Sequence, residues 1–168
     1  MSMYNLPRSE LLKIAYNFLE TLKEKTPLIA KKFDELSSIA NRIANLIQSQ
    51  GLLRTLIFGF SKVTWNKFEK MRTIDSLTEE ITEELKENKS LSDKLKWHII
   101  LIYILGEVFE EEYIKDFVGQ INTKTYEELL NDLIIKREQD PSHYTFLENE
   151  TSLALSVLAK IARALYEE

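Results

Sequence analysis

Cysteine is absent from the 168-residue chain. That excludes disulfide scaffolds, thiol catalysis and cysteine zinc sites, and it fits a reducing compartment. Glycine and proline are scarce, with four and three residues, too few for the turns of a strand-rich fold. Only two histidines occur, His98 and His143. Neither stands on a helical face at metal-ligand spacing from Asp or Glu, so no metal or cofactor is expected. The glycine-rich loops that cradle phosphates and the elbow that presents a nucleophilic serine are missing too. The longest uncharged and mostly apolar run, Trp97 to Gly106, spans ten residues, about half of a bilayer crossing. The first residues do not read as a secretion signal. The expectation is a soluble, cytoplasmic, non-membrane protein.

What is present points to helices. Hydrophobic residues make up 44% and charged residues 29%, enough apolar surface for a single core over residues 1–168. Leu12, Ala15, Tyr16, Leu19 and Leu22 recur at helical steps, and Pro27 ends that segment. Leu28 to Ser49 repeats the pattern up to a tight corner at Gln50-Gly51, where Gly51 suits a left-handed cap. A third helix is expected from Leu52 towards Arg72, with Leu53, Leu56, Ile57, Phe60, Phe68 and Met71 pointing one way. Gly59 inside it would allow another backbone to approach closely. Ser76 to Glu79 and Thr125 to Glu128 match capping boxes, and Ser90 or Ser92 would cap the helix between them. That helix, Lys94 to Leu105, is apolar nearly all round and should be the most buried. Gly106 would kink or end it, and Asp140-Pro141-Ser142 should form a turn before a last helix from about Asn149 to Glu168. The fold class is all-α, a single compact bundle of about six to eight helices.

Charge is divided unevenly. Net charge is −5, which argues against a free-standing nucleic-acid binder that relies on bulk positive charge. Residues 1–72 nevertheless hold twelve Lys/Arg against six Asp/Glu, while residues 73–168 hold ten against twenty-one. The bias peaks from Leu36 to Arg72, where Arg42, Arg54, Lys62, Lys67, Lys70 and Arg72 face one acid, Glu69. A chain with one basic and one acidic part can also stack head to tail.

On a continuous third helix, the face opposite the apolar stripe would read Arg54, Phe58, Lys62, Trp65, Glu69, Arg72. Cations alternating with rings suit phosphate pairing with base stacking. They suit a protein interface equally well, because aromatics and Arg anchor buried contacts. Phe58 and Trp65 would also read this way if a neighbouring helix of the same chain covered them. Lys160 and Arg163 form a smaller basic pair on the last helix, either a contact surface or a complement to the helix C-terminus. Arg137 and His143 have the spacing of the Arg/His pair in small helical ribonucleases of the HEPN class. There the His deprotonates a 2′-hydroxyl while the Arg steadies the phosphate. Here Pro141 interrupts the helical path between them.

The run Ile47 to Lys62, with Gly51-Leu52 followed by Leu56 and Phe58, resembles the signature of the small all-helical, fifth subunit of the Cmr complex, the type III-B CRISPR effector. Tyr144, Glu150, Leu155, Leu158, Lys160, Ala162 and Ala164 are similar to that family's closing helix. Gln50 stands where Asn is usual, the usual upstream Pro is missing, and Val157 replaces a usual Trp. The resemblance implies a non-catalytic subunit that stacks with copies of itself and with the large subunit along the guide RNA–target RNA duplex. The candidate RNA-contacting residues are Arg42, Arg54, Lys62, Lys67, Lys70, Arg72, Lys160 and Arg163, with Phe58 and Trp65 at an interface. The other readings are a helical protein–protein adaptor without RNA binding, and a metal-independent ribonuclease using Arg137 and His143.

Overall fold

A computed structural model describes residues 8–87 and 90–167, and among them every regular element is helical. The first helix, α1 (Arg8–Lys25), leads through a 3-10 turn (Pro27–Lys32) into α2 (Phe33–Gln50). After the Gly51 corner come α3 (Leu52–Lys62), the short α4 (Trp65–Lys70) and α5 (Ile74–Glu87). The central α6 (Asp93–Tyr103) runs into a π-turn (Ile104–Val108), followed by α7 (Glu112–Val118), α8 (Tyr126–Gln139) and α9 (Pro141–Ala164). The all-α expectation holds.

Two long helices form the frame. Ser37 Oγ donates to the Ala159 carbonyl at 2.8 Å and Ser152 Oγ to the Ala44 carbonyl at 3.1 Å. Those pairings run in opposite directions along the chain, so α2 and α9 are antiparallel neighbours. Buried Ala40, Ala44 and Ala159 keep side-chain bulk small beside these bonds, which lets the backbones approach closely enough for serine hydroxyls to reach across. α6 lies in the middle, as its composition requires: Leu95 and every residue from Trp97 to Leu105 are buried. Each such Leu or Ile contributes about 1.5–3 kcal/mol of burial.

Several local expectations shift, each for a physical reason. The third helix breaks at Val63, which is extended (φ −118°, ψ 103°), and the Thr64 side chain caps α4 by accepting from the Lys67 N–H. The break lets Val63 enter the core and turns Trp65 back onto Phe60, with ring centroids 5.1 Å apart. The cap expected from Ser76 lies at Thr73, whose Oγ1 accepts from the Ser76 N–H at 3.3 Å while Ser76 Oγ bonds the Thr73 carbonyl. The second helix begins only at Phe33, because Pro27 opens a 3-10 turn before it. Pro141 opens α9 instead of standing in a turn before a helix at Asn149. Leu12, Tyr16 and Ile57, counted in the apolar periodicity, are exposed; α1 packs through Leu11, Ile14, Ala15, Phe18, Leu19 and Leu22. Thr125 and Ser92 cap their helices as expected. At Gly106 the chain neither stops nor kinks at a single residue. It widens into the π-turn, where the Phe109 N–H bonds the Ile104 carbonyl at 2.9 Å.

Candidate nucleic-acid interface

The break after α3 dismantles the alternating cation and ring stripe. Phe58 stays 39% exposed, with its ring nearly perpendicular to that of Trp97, centroids 5.4 Å apart, and Lys62 Nζ 5.2 Å from its ring centre. Trp65 is half-buried among Phe60, Phe68 and Tyr126, with centroids 5.1 to 5.6 Å away. Its ring therefore packs mainly within the molecule, and the stripe is not one continuous outer face. Gly59 serves a close approach, though to a side chain and not a backbone: a Cβ there would lie 3.1 Å from the Trp97 ring.

The candidate cations separate into those with internal partners and those without. Lys67 pairs with Glu80 at 2.7 Å and Lys62 with Asp93 at 2.6 Å. Arg72 is a structural clamp. Its guanidinium donates to the carbonyls of Ile121 at 3.1 Å and Asn122 at 3.2 Å and rests 5.6 Å from the rings of Trp65 and Phe68. Burial pushes its pKa down, opposed by Glu69 and Glu110. Lys70 and Lys160 are exposed on α4 and α9. Arg54 lies far along α3 from Lys62 and borders a cavity of about 300 Å³ at the Gly51 corner, together with Arg137, Gln50, Thr145 and Glu148.

That corner joins the two segments that carried the resemblance. Glu148 Oε2 accepts the Leu52 N–H at 2.7 Å, and the Tyr144 hydroxyl oxygen accepts the Leu53 N–H at 3.0 Å. Two of the N–H groups that open α3 are thereby satisfied from α9, and a carboxylate lies at the positive end of the helix dipole. Burial pushes the Tyr144 pKa up. Gly51 has φ 92° and ψ 162°, a positive-φ geometry more extended than the left-handed cap expected there. Arg137 faces this corner cavity, whereas His143 Nδ1 lies against the Asp140 carboxylate. The two side chains thus have different surroundings, Arg137 at the corner cavity and His143 beside Asp140.

A different set of cations converges. Arg42 from α2, Lys96 from α6 and Arg163 from α9 line one cavity of about 290 Å³ with Asp34, Glu35, Ser38 and Ile39. None of the three cations makes an ion pair among the described residues. Glu35 is engaged elsewhere, accepting from the Leu91 N–H at 3.1 Å and facing Lys32 at 3.6 Å. Lys62 belongs to the same neighbourhood: its hydrogen bond is the largest cause holding the Asp93 carboxyl below its ordinary pKa, and Arg42 and Lys96 add to that effect. Sequence reasoning named Arg42, Lys62 and Arg163 separately and missed Lys96. The signal for Lys96 was its place as the one charged residue between Leu95 and Leu105 on a helix otherwise apolar nearly all round.

Among the described residues no group of three or more His, Cys, Asp or Glu is placed to hold a metal, and no helix is long and apolar enough to cross a membrane. Fold and surface together define a small all-helical protein with a cluster of cations that make no ion pair among the described residues. The family model described as CRISPR-associated protein (Cas_Cmr5) matches residues 8–165, and the chain belongs to that family, the small subunit of the Cmr complex of type III-B CRISPR effectors. No curated protein matches the chain, and no solved structure does.

Proposed function

We propose that the chain is a non-catalytic subunit that lies along the guide RNA–target RNA duplex of a cytoplasmic Cmr effector, touching the RNA backbone, further copies of itself and the large subunit. The observation that carries the RNA part is the convergence of Arg42, Lys96 and Arg163 from three helices on one cavity, without ion-pair partners among the described residues. Unpaired cations held by rigid helices attract phosphates without regard to sequence, which positions RNA and does not read it. The net charge of −5 keeps such attraction local, so affinity should be weak for one copy and useful when several copies align.

The test is RNA binding as a function of salt. Replacing Arg42, Lys96 and Arg163 with Gln should weaken binding and flatten the dependence of log K on log salt by about 2–3 units, because roughly 0.7–0.9 counterions are released per phosphate neutralised. An unchanged slope in a folded triple variant overturns the RNA contact. The adaptor reading has one favouring observation, the neighbouring exposed side chains Ile57 and Phe58 on α3. Recovery of the other effector subunits without any RNA contact by this chain would select it.

A further inference from the structure

The outer face of α2 has an unusual chemistry for a solvated helix. After Glu35 its exposed positions are Ser38, Asn41, Arg42, Asn45, Gln48 and Ser49, one cation among uncharged hydrogen-bonding groups. No Asp or Glu occurs from Ser37 to Phe68. Asn and Ser are poorer helix formers than the Glu, Lys or Ala that an ordinary exposed face carries. Their hydrogen-bonding groups also differ in use. Gln48 Nε2 donates to Ser152 at 3.1 Å and Gln50 Nε2 to Thr55 at 3.4 Å, so both amides are engaged within the fold. The amides of Asn41 and Asn45 and the hydroxyl of Ser38 make no hydrogen bond among the described residues. Ser38, Asn41, Arg42, Asn45, Leu46 and Ser49 line an open groove of about 600 Å³. Ser38 and Arg42 also line the cavity shared with Lys96 and Arg163, so the groove and the cation cluster are continuous.

Resting on the reading of this face as an RNA-backbone contact, we propose that Asn41 and Asn45 are specificity residues that recognise ribose 2′-hydroxyls, so that the surface prefers RNA to DNA. The cations alone cannot make that distinction, since both polymers carry the same phosphates. The 2′-hydroxyl is a donor and an acceptor, and it is the group that separates RNA from DNA at a contact. A carboxamide matches it in both senses: Oδ1 accepts the hydroxyl proton, and Nδ2 donates to the hydroxyl oxygen. In RNA the 2′-hydroxyl neighbours the 3′-phosphate of the same nucleotide, so a face that places Arg42 beside amides meets both groups together. Asn41 and Asn45 stand one turn apart, about 6 Å along the axis, which presents the same amide chemistry to successive points on a strand.

The experiment compares the full chain and its Asn41→Ala/Asn45→Ala variant in fluorescence anisotropy with RNA and DNA duplexes of one sequence at one salt concentration. Alanine is a better helix former at exposed positions, so the variant should fold, and circular dichroism checks this. The parent should bind RNA about tenfold more tightly than DNA. The variant should lose about fivefold on RNA, the size expected from about one net hydrogen bond, with DNA binding unchanged. Equal parental affinity for RNA and DNA, or equal loss on both in the variant, overturns the 2′-hydroxyl assignment while leaving the phosphate contact standing. Absence of binding to either duplex overturns the underlying RNA reading as well.

Discussion

Arg72 separates a structural cation from an RNA-facing one. Replacing it with Ala removes two hydrogen bonds to the Ile121 and Asn122 carbonyls and the contact of the guanidinium with the Trp65 and Phe68 rings. Charge-assisted hydrogen bonds at a half-exposed site are worth about 1.5 kcal/mol each, and the ring contact about 0.5 kcal/mol, for a loss of about 3.5 kcal/mol. In a chain of this size that lowers the thermal midpoint by about 9 °C. Arg72→Lys should recover less than half of the loss, because a single ammonium cannot span two carbonyls and does not stack on rings as a planar fork does. Urea denaturation of the three proteins gives the stabilities, and salt-dependent RNA binding below the transition gives the contact. The expected result is a large stability loss with an unchanged salt slope. A folded Arg72→Ala protein with stability within about 0.5 kcal/mol of the parent and a flatter salt slope would refute the clamp and return Arg72 to the RNA surface.

Gly51→Ala should cost about 2–3 kcal/mol, since the φ 92°, ψ 162° geometry is nearly restricted to glycine and the added Cβ would meet Glu148 Oε2 at 2.9 Å. Chemical denaturation checks it, and a neutral outcome would mean that the corner relaxes freely. His98 should make stability fall in mild acid. Burial is the main cause that lowers its pKa from 6.5, with Lys67 also lowering it and the hydrogen bond to Met71 and the charge of Glu80 opposing. The folded state therefore takes up a proton less readily than the unfolded state, so the His98 contribution is complete above about pH 6.5 and declines as pH falls towards the depressed value. Glu107 and Glu111 carry raised pKa values, chiefly from burial. Their protonation favours the folded state as pH falls, which opposes the His98 trend. The difference between wild type and His98→Gln in denaturation midpoints from pH 7.5 to 5 isolates the histidine; a constant difference would contradict the assignment.

Much of the fold was legible because it rests on local chemistry. The Thr125 and Ser92 caps need only a hydroxyl three residues from an N–H, and the Gly51 corner needs only a residue that tolerates positive φ. The central helix announced itself because Trp97 to Leu105 offers no face to water. The break between α3 and α4 was not legible. Val63 and Thr64 fit a helix tolerably, and the break is favoured by burial of Val63 in the core and by the packing of Trp65 on Phe60 and Tyr126. Once it occurs, the angular register that aligned Arg54, Phe58, Lys62, Trp65 and Arg72 no longer applies.

The sequence by itself determined that the chain is helical, where α3, α6 and α8 begin, which helix is central and where positive charge is dense. These follow from periodicity, capping and composition, each a property of neighbours in the chain. Only the tertiary structure decided which of those charges face solvent without a partner, because a cation's partner is supplied by whichever distant element packs beside it. Glu80 occupies Lys67, Asp93 occupies Lys62, and the carbonyls of residues 121 and 122 occupy Arg72. Arg42, Lys96 and Arg163 come from three separate helices and meet without an ion pair among the described residues, and no stretch of sequence contains that fact.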